Sequence, residues 1–568
     1  MNKKSWVAVA AATLCSTVPT FAQQIRPDAG TLLEQPSQLP ALPAPGGAPT
    51  TVVPQAPAAA PFASSVRMTP AAFRIQGNTL FKEEELRPLV AEFVGKETDM
   101  EGLVKAANAV RRYYRDRGYL LTEAYLPEQQ FAATGGTVTI QVLEARVGKV
   151  SVKVEDEGIS QSLASAIVNT HLKAGDYISE KSLDKPVLLL RDLIGFEATA
   201  AVEPGANNGE ADITVVVKSA GPKADGLVGV DNSGVRSAGQ TRAFASANLN
   251  NPTGRGDVLS VRVQESERSA SQLYRVGYST AVGGYATKLG LNATRTEYAL
   301  GKQFAALGAT GEATIYGASL TQPFIRSRVN NLLGAITYEH KELTDRTTTP
   351  PSTAERKVDT VRLSALGNFV DEALGASFNS YGVHYTSGHL REDAATLALD
   401  QGATGLRTAG HFSKINLEYL RTTFVSAAGR VSLSFQGQFA NKNLTSAEKI
   451  GLGGPNGVRG YPSGEAVGDS GTIVQLEYSH QLPETFGIPL RASAFYDWGR
   501  VKYNEGAIPA AFGAITNSES LSSVGIGLTA GTFGNWLVST QLAWRLNRAP
   551  GTDPDKHPRV WLSLQKWL

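Results

Sequence analysis

The stretch Val431-Ser-Leu-Ser-Phe-Gln-Gly-Gln-Phe439 sets Val431, Leu433, Phe435 and Phe439 on one phase and Ser432, Ser434, Gln436 and Gln438 on the other. A period of two is the mark of a β-strand with one apolar and one polar face. The pattern recurs on both sides of this stretch. Ile415, Leu417 and Tyr419 alternate with Asn416 and Glu418, and Val474, Leu476 and Tyr478 with Gln475 and Glu477. Val538, Leu542, Trp544 and Leu546 share a phase, as do Val560, Leu562 and Leu564 near the end. These segments run near the ~10 residues that a tilted membrane strand needs. Aromatic residues such as Tyr478, Trp498, Trp544 and Trp561 sit near segment ends, where an interfacial girdle belongs. Residues 220–568 therefore read as a membrane-spanning, all-β barrel of about 16 antiparallel strands.

Upstream, two units of the same plan occupy 72–146 and 147–219. In the first, Phe73 and Ile75 alternate ahead of Gly77-Asn78. Thr98-x-x-Glu101 reads as a capping box before Leu103, Ala106, Ala107, Val110 and Tyr114 at helical spacing. Gly118-Tyr119 opens a strand towards Pro127, and Thr137 to Val142 alternates as the last one. In the second, Val150, Val152 and Val154 alternate, and Leu183, Val187, Leu190 and Ile194 share a helix face. Gly118 and Pro127 recur as Gly195 and Pro204 at one common offset. Two α+β modules of strand–helix–helix–strand–strand order are the economical reading.

The N-terminus reads as a secretory signal over 1–22. Lys3 and Lys4 precede a mostly apolar run from Trp6 to Cys15, and Thr20-Phe21-Ala22 offers a small-x-small cleavage site. Cys15, the only cysteine, is lost with it, which excludes a disulfide and a cysteine metal site from the mature chain. Residues 23–36 contain a candidate short helix, with Ala29, Leu32, Leu33 and Gln35 in it and Pro27-Asp28 before it. Residues 37–71, rich in Pro and Ala, form an extended linker. No run of about 18 apolar residues follows the signal, so a membrane helix is not expected.

Two motifs remain. In Gly453-Gly-Pro-Asn-Gly-Val-Arg-Gly-Tyr-Pro-Ser-Gly-Glu465, Val458, Arg459, Gly460 and Tyr461 form a VRGY sequence on a glycine-rich loop. In Phe495-x-Asp497-x-Gly499 the strand phase turns Asp497 away from the Tyr496 and Trp498 face, into the lumen. A carboxylate there is served by an arginine, whose planar fork binds both oxygens. Residue physics alone favours Arg459 on a solvated surface loop, with Asp497 paired to another lumen residue; the two motifs taken together reverse that preference.

With these motifs, the order of signal, short helix, Pro-rich linker, two modules and barrel resembles the TpsB transporters of two-partner secretion. Their wider superfamily includes the barrel insertase BamA. The resemblance covers the whole mature chain. It implies that the modules are periplasmic POTRA domains and the 23–36 segment a plug helix. The VRGY residues would then lie at the tip of the sixth extracellular loop, folded back into the lumen. It further implies export without ATP of one large unfolded exoprotein, an adhesin or haemolysin, bearing an N-terminal secretion domain that the POTRA domains recognise. Outer-membrane lipid, barrel assembly machinery and periplasmic chaperones are the other partners implied. One departure is the terminal Leu568 after Trp567, where such barrels tend to end on an aromatic residue.

Other functions find little support. With 54 Lys and Arg against 52 Asp and Glu, the net charge of +2 creates no field for nucleic acid. Gly525-x-Gly527-x-x-Ala530 fits a loose dinucleotide fingerprint but lies in alternating sequence with no helix after it. The His residues show no HExxH and the serines no GxSxG, so no catalytic residue, metal or cofactor is expected, and no enzyme. The alternatives left open are an insertase of the same superfamily, a solute porin and a soluble secreted adhesin.

Overall fold

A computed structural model describes residues 27–32, 51–52, 67–130, 135–156, 158–509 and 516–568. The expected signal peptide, Leu33 and Gln35 of the expected plug helix, and most of the Pro-rich linker lie outside the described residues.

The first module consists of β2 (Ala72–Gln76), α1 (Glu83–Val90), α2 (Met100–Asp116), β3 (Glu123–Tyr125) and β4 (Thr137–Leu143), after a linker strand β1 (Thr51–Val52). Its sheet order is β2-β4-β3. Helix α2 buries Leu103, Ala106, Ala107, Val110 and Tyr114, one stripe at helical spacing. Its cap differs from the expectation. Asp99, not Thr98, accepts the Gly102 N–H at 2.9 Å. Thr98 is held elsewhere, exchanging two backbone hydrogen bonds of 2.8 Å with Met68. That pairing, and the burial of Met68, also place residues 67–71 in the module rather than in the linker. The strand expected from Gly118 shortens to β3, because residues 119–122 turn.

The second module repeats the plan with β5 (Arg146–Val154), α3 (Gln161–His171), α4 (Glu180–Arg191), β6 (Phe196–Pro204) and β7 (Glu210–Ser219). Leu183, Val187 and Leu190 of α4 are buried as expected, but Ile194 falls beyond the helix and is exposed. The sheet order is β1-β6-β7-β5. Its edge strand β6 thus carries the linker strand, with Thr51 beside Ala200 and Val52 beside Ala201 in parallel.

Sixteen antiparallel strands then close into a barrel, which leaves no backbone edge in lipid. Apolar side chains of the alternating strands face outward: Ile415, Leu433, Leu476, Tyr496, Ile526 and Leu562 are all exposed on this surface. Strand length is uneven. The eighth strand (Pro351–Asp371) has 21 residues, whereas the first (Ala224–Asp231) and last (Arg559–Trp567), which close the barrel, have 8 and 9. Their pairing runs from Ser563 beside Asp231 to Trp567 beside Leu227, and the Leu568 N–H extends it by donating to Gly226 C=O at 2.9 Å. The non-aromatic terminal residue is therefore still built into the seam.

The second module docks on the turn between the sixth and seventh strands (Thr310–Arg326 and Asn330–Thr348). Arg326 binds both Asp192 oxygens, at 2.6 and 2.8 Å, and Arg328 reaches Asp184 at 2.6 Å and Glu180 as well. On the neighbouring turn, the ring of Tyr285 meets His171 edge to face with 5.9 Å between centroids.

Candidate functional site

The loop between the eleventh strand (Gly429–Ala440) and the twelfth (Ser470–Thr485) turns back into the lumen. Counted from the first strand, it is the sixth on the side opposite the modules. Its two limbs pair briefly, Ile450–Gly451 against Val467–Gly468. Beyond them Leu452, Val458, Tyr461 and Ala466 pack against Ile473, Val501 and Leu521 of the wall. The tip is compact enough to require its glycines. Gly454 has a φ of +112°, and a Cβ on Gly457 would lie 2.1 Å from the Leu452 carbonyl oxygen. A Cβ on Gly460 would come within 2.7 Å of the Ser523 Cβ.

This packing delivers Arg459 to the thirteenth strand (Ile488–Lys502). Its Nη2 donates to Asp497 Oδ1 at 2.7 Å and its Nε to Oδ2 at 3.0 Å, a two-point contact. The Arg459 backbone N–H adds a third bond to Oδ2 at 3.0 Å, and Ser523 Oγ a fourth at 3.0 Å. The remaining guanidinium nitrogen, Nη1, meets Glu477 Oε2 at 2.6 Å. Beneath the guanidinium lies the Phe495 ring, with its centroid 3.3 Å from Cζ. Arg459 is 4 % exposed and Asp497 fully buried. In so dry a place an unpaired charge is costly, so the full set of partners holds both ions in place.

Each motif position has a task. Gly499 leaves room for Val458, whose Cγ2 would stand 3.1 Å from a Cβ there. Phe495 covers Gly525, where a Cβ would overlap the ring at 2.2 Å. Tyr461 Oη donates to the Arg548 carbonyl at 3.0 Å, tying the tip to the loop between the fifteenth and sixteenth strands.

Sequence reasoning missed several members of the site. Glu477 and Ser523 are wall residues; Glu477 was already on the polar phase of its strand, which is the signal that marks a lumen acid. Trp561 is a correction. Instead of standing in an outer girdle, it is buried in the lumen, and its Nε1 donates to the Arg459 carbonyl at 2.8 Å. Its phase, opposite to Val560 and Leu562, already said so.

Of the expected plug residues, Ala29 and Leu32 fall within the described stretch 27–32, which makes a turn inside the lumen. Asp28 and Thr31 cap each other's backbone N–H groups, at 2.9 and 2.8 Å, and Leu32 N–H reaches Asp28 C=O at 3.1 Å. This is the bonding of a helical first turn. Ala29 is buried, its N–H donating to Asp345 Oδ1 on the seventh strand at 2.8 Å.

Residues 209–530 match the profile of the haemolysin secretion/activation protein family ShlB/FhaC/HecB. The chain belongs to this family. Residues 69–145 match the ShlB-type POTRA domain. Among curated relatives, the heme/hemopexin transporter protein HuxB of Haemophilus influenzae is 29 % identical over 85 % of this chain and 84 % of its own. The outer membrane transporter CdiB of Dickeya dadantii is 23 % identical over 72 % and 71 %. Among solved structures, CdiB from Escherichia coli superposes with a TM-score of 0.69 at 21 % identity, covering 92 % of this chain and 94 % of that one. BamA from Haemophilus ducreyi, lacking its first three POTRA domains, gives 0.50 at 15 % identity over 88 % and 100 %. Such structures share the fold. As a member of the family, the chain is an outer-membrane two-partner secretion translocator with periplasmic POTRA domains, and it exports a cognate exoprotein through its barrel.

Proposed function

We propose that the exoprotein enters as an extended strand on β6, that the N-terminal segment plugs the resting pore, and that the Arg459–Asp497 pair holds loop 6 as an internal brace during passage. The observation that carries this reading is the linker strand on β6. An edge that already accepts Thr51–Val52 has free backbone groups in the right geometry for an incoming chain. The resident strand is two residues long, so a longer segment with more backbone bonds displaces it. The Pro-rich linker then lets residues 23–36 leave the lumen while staying tethered. Folding of the exoprotein outside prevents its return, and the chain itself catalyses no reaction. Barrel assembly machinery and periplasmic chaperones bring the translocator to the membrane. The higher identity to a heme/hemopexin transporter protein makes an exoprotein tied to heme or hemopexin transport the first partner class to assay.

The test replaces Thr51 and Val52 by proline in the full-length protein, which deprives the linker strand of its donors. The exoprotein's secretion domain is expected to bind severalfold more tightly. Unchanged affinity would remove β6 as the capture edge.

A further inference from the structure

Away from the tip, loop 6 has a second buried anchor that the VRGY motif does not involve. Glu448, at the foot of the loop, is fully buried between two strands. Its Oε1 lies 2.7 Å from Lys341 Nζ on the seventh strand, and its Oε2 lies 2.9 Å from Lys414 Nζ on the tenth (Gly410–Phe424). The backbone is gripped too. Glu448 C=O accepts from Lys414 Nζ at 2.7 Å and from Gln438 Nε2 at 2.8 Å. Lys341 and Lys414 are each under 6 % exposed. Glu339, also buried, lies 3.2 Å from Lys341 Nζ. Losing Glu448 therefore leaves Lys341 one carboxylate and takes from Lys414 the carboxylate 2.9 Å away, so the buried cluster holds one geometry.

The anchored backbone is also the seat of the N-terminal turn. Ser446 Oγ donates to Asp28 Oδ2 at 2.7 Å. Gly30 lies so close that a Cβ on it would meet Ser446 Oγ at 2.2 Å and Ala447 N at 2.4 Å. Ala29 and Leu32 pack in the same apolar cluster as Leu444 and Ala447. The loop therefore bridges the lumen, its tip on the twelfth to sixteenth strands and its foot on the seventh, tenth and eleventh. Among the described contacts, the loop meets the N-terminal turn through Ser446 and Ala447 of its foot, while Asp345 and Arg356 hold the turn from the wall.

We propose that Glu448 is a positioning residue for pore closure: pinned by Lys341 and Lys414, it presents Ser446 and Ala447 as the surface that retains residues 28–32 in the lumen. This inference rests on the plug reading given above. Release of the N-terminal segment then requires the foot of loop 6 to shift, whereas the Arg459 tip stays locked. The two ends of one loop thus have separate duties, gating at the foot and bracing at the tip.

The experiment records full-length protein in planar bilayers, with heat-modifiable gel mobility as the check on assembly. Glu448→Gln keeps the shape and removes the charge, and it is expected to raise the open-to-closed ratio about tenfold, the loss of one charge-assisted contact. Ser446→Ala, which leaves the ion cluster untouched, is expected to raise it about threefold. Deletion of residues 25–36 should open the pore fully, and Glu448→Gln added to that deletion should change nothing more. Wild-type closure in Glu448→Gln, with an open deletion variant, would overturn the latch and leave the plug standing. A further rise in the combined variant would show that the foot acts without the N-terminal segment, and would also overturn it. An unchanged pore in the deletion variant would sink both readings. If Glu448→Gln fails to assemble, Ser446→Ala decides, and wild-type closure there rejects the proposal.

Discussion

Two of the molecule's arginine–carboxylate contacts share a two-point geometry and differ in what surrounds them. Arg459 meets Asp497 inside the barrel, with both ions shut away from solvent and every guanidinium edge used. Arg326 meets Asp192 in the same two-point geometry at the junction of barrel and second POTRA domain, where the aspartate side chain is 21 % exposed. Water reaches the second contact and not the first. A buried pair cannot lose one partner without leaving a bare charge, while an interfacial pair can hydrate what it loses. The tip contact therefore behaves as a fixed brace, and the junction contact as a joint that can open.

Replacing Arg459 by alanine should have the largest effect. It strands Asp497 beside Glu477, a loss on the order of 3–5 kcal/mol for a broken buried pair. The barrel's strand bonding remains, so heat-modifiable mobility should persist while secretion of the exoprotein is abolished. Arg459→Lys should fall between, since an ammonium cannot span both Asp497 oxygens and Glu477. Normal secretion by a stably assembled Arg459→Ala protein would end the brace interpretation.

The joint should yield more gently. Arg326→Ala with Arg328→Ala removes the contacts to Asp192, Asp184 and Glu180, at a cost of roughly 1–3 kcal/mol in docking. Spin labels on the second module and the barrel should show a broadened distance distribution, with secretion reduced severalfold and not lost. A distribution as narrow as wild type would mean that the surrounding packing alone fixes the module.

The two contacts also differ in how far the sequence announces them. The tip was legible because both halves carry local marks: glycines packed around Arg459, and a strand phase that sends Asp497 inward. Even so, the contact itself was not decided by residue physics, since phase gives a direction and no partner. The barrel was legible for the same reason, period two being a local property of every strand. The junction carried no such mark. Arg326 and Arg328 sit in an ordinary turn, and their carboxylates lie well over a hundred residues upstream. Glu448 likewise looks like a surface loop acid until Lys341 and Lys414 close around it. Where local rules failed, a distant partner had overridden them. Thr98 satisfies the capping-box pattern but is drawn into pairing with Met68, so Asp99 takes the cap. Trp561 looks like a girdle residue by position, yet its phase points it at the Arg459 carbonyl.

The smallest expected effect lies at the joint as well, and it depends on pH. His171 ends α3 against the Tyr285 turn, and burial first, then the nearby Lys185 charge, lowers its pKa from 6.5 to about 4. A helix C-terminus would favour an imidazolium, so burial outweighs the helix dipole here. Because the folded form resists the proton, the unfolded module binds more protons between those two values. Stability of the second POTRA domain is thus full above pH 6.5, falls as pH drops towards 4, and shows no further His171 loss below that. In the full-length protein, the unfolding midpoint of the periplasmic part should drop between pH 7 and pH 5 more than in a His171→Gln variant, whose side chain does not titrate. Equal slopes in the two proteins would place the pH sensitivity elsewhere. A steeper slope in wild type would make the joint, and not the brace, the part of the translocator that responds to periplasmic acidity.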